Sequence, residues 1–273
     1  PGDLLFCQIQ EAVDAASPGD EIEVEEGSYN ENVEITTSDI RLDGDDATVD
    51  GTGLGGIGIH VVGASDVEIK GFIVENFDTG IVLTDVYHSR LRDIETRFND
   101  DLADEIPAAL THDGLQVINY HQNLISDVFA HDNGHNGITL GVGSTNNTLE
   151  DNISNLNGTN LAIPTFGCGI ELRSDGNNNN SITENEILGN GWGILLGFGG
   201  GLGADGNIIE ENEIHGNVRT GIDVKDGSSG NFMIENDATG NAGFSDDFSL
   251  DFDLNDGGPF DNTWEDNEGT SSF

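Results

Sequence analysis

The stretch NSITENEILGN, residues 180–190, decides the fold because closely similar stretches recur along the chain. Gap-free copies are NTLEDNISNLN (147–157), NIIEENEIHGN (207–217) and NFMIENDATGN (231–241). Looser copies lie at 66–76, 89–99 and 123–133. The gap-free copies all carry Asn at their first, sixth and eleventh positions. A short unit repeated in this way indicates a solenoid of stacked coils.

A second marker follows the copies, a glycine and aliphatic residues that open a short strand. These strands are GIVL (80–83), GLQV (114–117), GITL (137–140), GIEL (169–172), GILL (193–196) and GIDV (221–224). Their spacing fits a coil of about 22–24 residues with insertions in some turns. Stacking places equivalent residues about 4.8 Å apart, so the repeated asparagines are predicted to form ladders. The predicted columns are Asn76, Asn99, Asn133, Asn157, Asn190, Asn217 and Asn241, and Asn152, Asn185, Asn212 and Asn236.

Both ends of the chain fit this architecture. The apolar spacing in IQEAVDAA (9–16) predicts a short amphipathic helix that covers the open end of the solenoid. FSLDFDL (248–254) alternates strictly and predicts a last strand. The expected fold is all-β, a single-stranded right-handed parallel β-helix of about eight coils with a short N-terminal capping α-helix. Residues 1–35 would form the cap and first strands, 36–245 the coils and 246–273 an acidic C-terminal coil and cap.

The charge balance limits the partners. Acidic residues outnumber basic ones 52 to 8, giving a formal net charge of −44 that is spread along the whole chain. This field repels nucleic acids, and an acidic surface of this kind is typical of halophilic proteins. No apolar run of about 18 residues occurs, so no transmembrane segment is expected. Cys7 and Cys168 are predicted to remain unpaired because about four coils separate them.

The chain resembles a known group of proteins. IQEAVDAASPGDEIEVEEGSYNENVEI, then IRLDGDDATVDGTG, then the Asn-containing repeats are similar to the secreted right-handed parallel β-helix superfamily. That superfamily includes pectate-lyase-like proteins, mannuronan C5-epimerases and the nitrous-oxide-reductase accessory β-helix proteins. The resemblance implies the fold over nearly the whole chain and a secreted or cell-surface location. It leaves the reaction open, because lyases, epimerases, hydrolases and inert proteins share the fold.

Strand alternation predicts a groove on the outward face of the Gly-aliphatic strands. Gly141, Gly143 and Gly197 would form its floor, and the insertions 98–112, 157–168 and 197–206 would form its walls. The candidate catalytic residues on this face are His135, Tyr120, Arg173 and His112. The candidate substrate-binding residues are Asp113, Gln116, Asn136, Glu171, Trp192 and Lys225. Arg173 and Lys225 have a competing interpretation as ion pairs with Glu171 and Asp223, and Trp192 as a packing residue.

The candidate catalytic residues suit a reaction that removes the proton alpha to a sugar carboxylate. Arg173 would neutralise the carboxylate, His135 would be the base, and Tyr120 or His112 the acid. THDGLQV, GHNGITLG and GIELRS resemble the order of coils in polygalacturonases but lack the paired-aspartate coil. The same region resembles mannuronan epimerases but has THDG where they have Asp-Pro-His. Asp113 and His135 are the positions that match these families best.

Two further features concern ligands and modification. Asp246, Asp247, Asp251, Asp253 and Asp256 form an acidic cluster that would suit Ca²⁺, although general surface acidity explains it as well. No other cofactor or metal is indicated. Glycosylation sequons occur at Asn146, Asn152, Asn157 and Asn179. Asn146 and Asn179 fall in predicted turns and are the expected acceptors, whereas the other two belong to the ladders.

The sequence therefore leaves two functions open. The first is extracellular binding and processing of an acidic or neutral polysaccharide by uronate-type lyase or C5-epimerase chemistry in the groove. The second is a non-catalytic cell-surface, adhesin or matrix protein that uses the β-helix as a rigid rod. A viral receptor-binding fibre is a third, less favoured class. The oligomeric state does not follow from the sequence.

Overall fold

The computed structural model describes residues 5–100, 112–158, 167–173, 176–198, 203–225, 227–241, 254–256 and 261–269. Within them one helix, α1 (Ile9–Ala15), precedes a series of short strands. The strands of the first half are β1 (Glu21–Glu23), β2 (Ser28–Tyr29), β3 (Val33–Ile35), β4 (Arg41–Asp50), β5 (Ile57–Val62), β6 (Glu68–Glu75), β7 (Thr79–Thr84), β8 (Arg90–Arg97), β9 (Leu115–Ile118), β10 (Leu124–His131) and β11 (Ile138–Leu140). Those of the second half are β12 (Thr148–Glu150), β13 (Ile153–Asn155), β14 (Cys168–Arg173), β15 (Ser181–Thr183), β16 (Glu186–Leu188), β17 (Trp192–Phe198), β18 (Ile208–Glu210), β19 (Glu213–His215), β20 (Ile222–Val224), β21 (Phe232–Ile234), β22 (Leu254–Asp256) and β23 (Thr263–Glu265).

Two parallel sheets run along the solenoid. Sheet A contains 14 strands, and its main path is β1-β4-β6-β8-β10-β12-β15-β18-β21-β23. Sheet B contains nine strands, in the order β22-β20-β17-β14-β11-β9-β7-β5-β3. Since each coil gives one strand to sheet B, the described residues form nine coils, close to the eight expected from the sequence. The all-β parallel architecture predicted from the repeats is confirmed.

Stacked aliphatic side chains fill the interior. In sheet B, Leu83, Val117, Leu140 and Leu172 follow one another in register and are completely buried. Sheet A provides a matching row that includes Ile125, Leu149 and Ile182. Burial of such side chains contributes about 1.5–3 kcal/mol each, so the core stabilises every coil.

Three columns of asparagine stabilise the turns. The column at the sixth repeat position is Asn152, Asn185, Asn212, Asn236 and Asn267. The column at the eleventh position is Asn99, Asn133, Asn157, Asn190, Asn217 and Asn241. The first-position asparagines form the third: Asn123, Asn147, Asn180, Asn207, Asn231 and Asn262. Within each column an amide donates to the next oxygen at 2.8–3.2 Å.

The prediction that Asn76 belongs to a ladder is wrong. Asn76 is exposed, has φ of 64°, and donates to Asp50 Oδ1 outside the ladder. Glu75 pairs with Arg97, which places Phe77 one coil below Asn99. The Phe77 backbone amide accordingly donates to Asn99 Oδ1 at 3.2 Å. The copy at 66–76 is therefore one residue out of register at its end. Phe77, an apolar residue, occupies the ladder position below Asn99, and the column of asparagines ends there.

The glycine that opens each sheet B strand is required by packing. Gly137 does not have a positive φ, so it is not the left-handed turn residue that its position suggests. A Cβ at Gly137 would lie 2.0 Å from Ser154 Oγ and 2.8 Å from Asn157 Nδ2. Any larger residue there would displace the ladder.

The N-terminal helix is placed as predicted. Ile9 and Val13 are buried against the core, with Ala12 and Ala16 packed beside them. The Glu31 carboxylate accepts hydrogen bonds from the first helical amides, Ile9 and Gln10, at 2.9 Å each. Cys7 is exposed and Cys168 is buried, and both are free thiols, as expected. No helix in the described ranges has the length and hydrophobicity to cross a membrane.

Replacing a ladder residue should destabilise the whole protein. Asn185→Ala removes the acceptor of the Asn152 amides and the donor to the Leu149 and Thr183 carbonyls. Because these groups stay buried, we expect the free energy of unfolding to fall by roughly 3 kcal/mol, measured by urea denaturation at molar salt. Exposed Asn146, at φ of 58°, provides the control: Asn146→Gly should cost less than about 1 kcal/mol. Equal losses for both variants would contradict a stabilising ladder.

Candidate active site

A row of side chains on the outer face of sheet B is buried. The row follows the strand register coil by coil and consists of Val82, Gln116, Thr139, Glu171, Leu195 and Asp223. Each has at most 3% of its surface exposed. These residues alternate with the core row, as the sequence predicts, but they are covered instead of lying open on a groove floor. Two of them are carboxylates, which seldom become buried without charged or hydrogen-bonding partners.

Asp113 lies beside this row and contacts two residues of the next coil, His135 and Asn136. Its Oδ1 accepts a hydrogen bond from the Asn136 backbone amide at 3.0 Å and lies 3.2 Å from His135 Nδ1. Because a carboxylate oxygen only accepts hydrogen bonds, the imidazole carries a proton on Nδ1 when it makes this contact. The side chain of Asp113 is completely buried, whereas that of His135 is 30% exposed. The buried carboxylate therefore orients a histidine that reaches solvent.

The surroundings of His135 favour its charged form. Burial of the ring lowers its pKa, but the hydrogen bond to Asp113 and the charges of Asp113 and Glu171 raise it by more. The nearby Arg173 charge opposes this rise. The net result is that the pKa of His135 lies above the ordinary value of 6.5.

Glu171 and Arg173 form a second pair one coil away. Arg173 Nε donates to Glu171 Oε2 at 3.1 Å, and Asn136 Nδ2 donates to the same oxygen at 2.7 Å. Burial raises the pKa of Glu171 above its usual range, and Arg173 only partly offsets that effect. The Glu171 side chain is 4% exposed and that of Arg173 is 29% exposed. This pair repeats the pattern of a buried acid that holds an exposed basic group.

Asn136 connects the two pairs, because its backbone amide donates to Asp113 and its side chain donates to Glu171. Besides donating to Glu171, its Nδ2 donates to Thr139 Oγ1 at 2.9 Å, and its Oδ1 accepts from the Cys168 backbone amide at 2.7 Å. Asp113, His135, Asn136, Glu171 and Arg173 thus form one hydrogen-bonded group, which we call the sheet B cluster. Thr139 belongs to it as well and was not among the predicted site residues.

The prediction of Tyr120 as a catalytic acid is wrong. Its side chain is completely buried in the hydrophobic core, and burial raises the pKa of its hydroxyl far above the usual value. Strand β9 ends at Ile118, and Asn119 has φ of 50°, so the alternation breaks and the next residue turns inward. Tyr120 therefore cannot reach a substrate on the sheet B face.

His112 and Gln116 lie beside the cluster. The His135 amide donates to the His112 carbonyl at 2.9 Å, so the two histidines lie next to each other on successive coils. His112 is 8% exposed, and its Nδ1 lies 3.8 Å from Asp100 Oδ1. Gln116 is 3% exposed, and its Oε1 accepts no hydrogen bond in the described part of the chain. Both are poorly accessible, in contrast to His135.

Lys225 and Trp192 lie further along the same sheet. Lys225 Nζ pairs with Asp223 Oδ2, and Asn255 Nδ2 donates to Asp223 Oδ1 at 2.8 Å. The ion pair considered for Lys225 is thus present, with the acid 3% and the lysine 35% exposed. The Arg219 guanidinium lies 4.6 Å from the centroid of the Trp192 ring, so this half-buried indole takes part in a cation–π contact.

Several predicted features fall outside the described residues. These are residues 101–111, 159–166 and 199–202 of the three insertions, and the aspartates at 246, 247, 251 and 253. Asp256 is described, and its Oδ2 accepts from Trp264 Nε1 at 3.0 Å. Across the described ranges, no three His, Cys, Asp or Glu side chains are grouped so as to hold a metal ion. Of the sequons, Asn146 and Asn179 are exposed, whereas Asn152 and Asn157 are completely buried.

The fold and the sequence together establish the family. The profile described as "Right handed beta helix region" matches residues 27–207, about two thirds of the chain. The chain belongs to this right-handed β-helix family. A comparison with curated protein sequences gave no match.

Solved structures with the same fold include enzymes that act on polysaccharides. Pectate lyase Pel9A is 16% identical with a TM-score of 0.68, covering 95% of this chain and 72% of its own. Alginate lyase from Paenibacillus sp. str. FPU-7 is 15% identical with a TM-score of 0.58, covering 97% and 96%. The A-module of Azotobacter vinelandii mannuronan C-5 epimerase AlgE4 is 16% identical with a TM-score of 0.54, covering 95% and 71%. At these identities the similarity establishes the fold.

Removing the Asp113 charge should lower the pKa of His135. In Asp113→Asn the ring loses its anionic partner while remaining buried, so its pKa should fall below that of the wild-type histidine, as followed by NMR titration of the imidazole protons. Asp132→Asn is the control, because Asp132 Oδ2 contacts His131 at 2.8 Å and not His135. An unchanged His135 pKa in Asp113→Asn would contradict the proposed pairing.

The same pairing has a consequence for stability. Because the pKa of His135 is raised on folding, protonation of this ring adds to the free energy of unfolding. This stabilisation is fully present below the unfolded-state pKa near 6.5. It is lost as the pH rises through the folded-state value, and Asp113→Asn should weaken this dependence.

Proposed function

We propose that the protein binds and processes an extracellular uronate-containing polysaccharide, using lyase or C5-epimerase chemistry at the sheet B cluster. One observation carries this proposal. Three buried carboxylates, Asp113, Glu171 and Asp223, each hold a basic side chain that is 29–35% exposed on the same sheet. A protein with a net charge of −44 has few means of attracting an acidic polymer, and this row of basic groups supplies one.

His135 is the proposed base. Its contact with Asp113 keeps the proton on Nδ1, so the neutral ring has its lone pair on Nε2. That nitrogen would take the C5 proton of a uronate residue. The carboxylate partner would stabilise the imidazolium that forms, as a carboxylate does in other histidine dyads. The raised pKa of His135 suits this role, since a base needs affinity for the proton.

Arg173 and Glu171 complete the proposed chemistry. The Arg173 guanidinium would pair with the sugar carboxylate and stabilise the negative charge that develops on it after C5 deprotonation. Return of a proton to the opposite face of C5 gives the epimer. Expulsion of the C4 oxygen instead gives an unsaturated sugar, and the leaving oxygen takes up a proton. Glu171 would hold the Arg173 guanidinium in position for this contact through their ion pair.

The remaining residues predicted to contact the substrate have proposed roles in the same arrangement. Asn136 would fix the positions of Asp113 and Glu171, and Lys225 would bind a second carboxylate further along the polymer. Trp192 would provide an apolar surface next to the chain. His112 and Gln116 would support the site from beneath, since little of either is exposed.

A non-catalytic rod is the second candidate function. It is favoured by the ion pairs themselves, because Arg173 and Lys225 both contact acids of their own strands. In that case the cluster would only neutralise buried carboxylates on a rigid cell-surface or matrix protein. The two proposals differ in whether the exposed basic groups exchange their partners for a substrate.

The setting proposed for either function is secreted or cell-surface and rich in salt. At a net charge of −44, the acidic side chains repel one another in dilute buffer. Molar salt screens this repulsion because it shortens the Debye length to about 3 Å. Activity and stability should therefore be measured at molar salt. The exposed sequons at Asn146 and Asn179 remain the proposed glycan acceptors. Residues 246–273 remain a proposed acidic cap with possible Ca²⁺ ligands.

Incubation with alginate, pectate and other uronate polymers in deuterated buffer tests the enzymatic proposal. We expect proton NMR to show deuterium at C5 or new unsaturated chain ends. His135→Ala should lower the rate by at least about 100-fold, because a positioned base contributes on that order. Arg173→Ala should do the same through loss of charge stabilisation.

His215→Ala is the matched control, since His215 is a partly exposed histidine on sheet A. It should retain wild-type activity. Neither exchange nor cleavage with any polymer would favour the rod, and full activity in His135→Ala would remove the histidine from the mechanism.

A further inference from the structure

Three apolar side chains lie exposed on adjacent coils of sheet A. Phe98 is 48% exposed, Phe129 is 37% exposed and Ile153 is 36% exposed. Phe129 of β10 pairs with Ile153 of β13, and Phe98 directly follows β8, the neighbouring strand. We call Phe98, Phe129, Ile153 and the intervening His131 the aromatic face. It lies on sheet A, whereas the cluster around His135 belongs to sheet B.

The rings of the aromatic face are held in place by one another. The Phe129 ring stacks on His131 with centroids 4.1 Å apart and planes at 25°. Phe98 meets the same imidazole edge to face at 6.2 Å and 73°. The Arg97 guanidinium lies 5.8 Å from the Phe98 centroid. A preformed group of rings loses little side-chain entropy when it binds a ligand.

The basic groups beside the rings are already paired. Arg97 Nε donates to Glu75 at 2.7 Å, and its Nη1 donates to Glu95. His131 contacts Glu95 at 3.1 Å through Nε2 and Asp132 at 2.8 Å through Nδ1. The face thus combines apolar rings with a local excess of carboxylates, since Glu75, Glu95 and Asp132 outnumber Arg97 and His131. A polyanion would meet these carboxylates, so the charge distribution favours an uncharged ligand.

The size of the face decides against a protein partner. Its apolar groups span two coil spacings of about 4.8 Å, or roughly 10 Å along the solenoid axis. A stable protein interface takes about 20–30 residues from each partner, whereas the aromatic face consists of four. Two or three sugar rings cover such a length. Aromatic rings attract the C–H groups of a sugar through their negative faces, and flanking polar groups can bond its hydroxyls.

We propose that the aromatic face is a second carbohydrate-binding site, specific for a neutral polysaccharide chain. Phe98 and Phe129 stack on the sugar rings, Ile153 extends the apolar surface, and Glu95 and Asp132 accept hydrogen bonds from hydroxyls. The site is independent of the chemistry at His135. It would hold the protein on a neutral matrix while the sheet B face works on another polymer.

Isothermal titration calorimetry at molar salt tests this site with cellohexaose, laminarihexaose, xylohexaose and hexamannuronate as probes. We expect at least one neutral hexasaccharide to bind the wild type. Phe129→Ser should weaken that binding about tenfold, the loss expected for one aromatic contact. Phe232→Ser is the matched control, because Phe232 is 45% exposed elsewhere on sheet A, and it should bind as the wild type does.

The outcomes separate this site from the others. His135→Ala should leave neutral-sugar binding unchanged, whatever its effect on uronates. Absence of binding by every neutral probe, or wild-type affinity in Phe129→Ser, would overturn the proposal. So would sedimentation showing a wild-type dimer that Phe129→Ser dissociates, since the face would then bind a second copy. Melting temperatures of the two serine variants verify folding, which exposed side chains should not disturb.

Discussion

The hydrogen bond between stacked asparagine amides is the interaction on which this structure depends. Asn185 shows how many hydrogen bonds a single ladder residue makes. Its oxygen accepts from both amides of Asn152, and its nitrogen donates to Asn212 and to the backbone carbonyls of Leu149 and Thr183. Each turn therefore satisfies its own buried polar groups only when the next coil is in register. A shift by one residue would leave buried amides without partners in every column.

That register also creates the candidate site. Asp113, Asn136 and Glu171 come from three successive coils and are far apart in sequence, yet Asn136 joins the two acids, donating to Asp113 from its backbone amide and to Glu171 from its side chain. The outer row of sheet B is buried, so the acids gain strong interactions with the few basic groups placed there. Arg173 and Lys225, two of the eight lysines and arginines of the chain, lie here, and we propose that they attract an acidic ligand. Fold and proposed chemistry thus follow from the same repeat.

The sequence was sufficient for the regular parts of the molecule. Residues such as Asn185 and Ile182 repeat with the coil, so the ladders and the core rows follow from spacing alone. The same reasoning offered the ion pair between Lys225 and Asp223 as one of two interpretations, and that pair is present. It failed at local departures from the repeat: Phe77 takes the ladder position expected for Asn76.

The other failures involve tertiary structure. Asn119 adopts a left-handed conformation and turns Tyr120 inward, and the alternation of a strand gives no warning of such a residue. Alternation also places Glu171 outward correctly, but it does not show that the residue is covered. The raised pKa of Glu171 depends on that burial and on neighbours from other coils. The bridging role of Asn136 was likewise beyond sequence analysis, because it depends on atomic distances.

The most direct measurement is a crystal structure of the inactive His135→Asn variant with a trimannuronate or trigalacturonate bound at high salt. We expect a sugar carboxylate against the Arg173 guanidinium, with C5 directed at residue 135 and the bond from Arg173 to Glu171 exchanged or shared. An oligosaccharide bound away from sheet B, or a cluster that keeps its internal ion pairs and excludes the sugar, would contradict it.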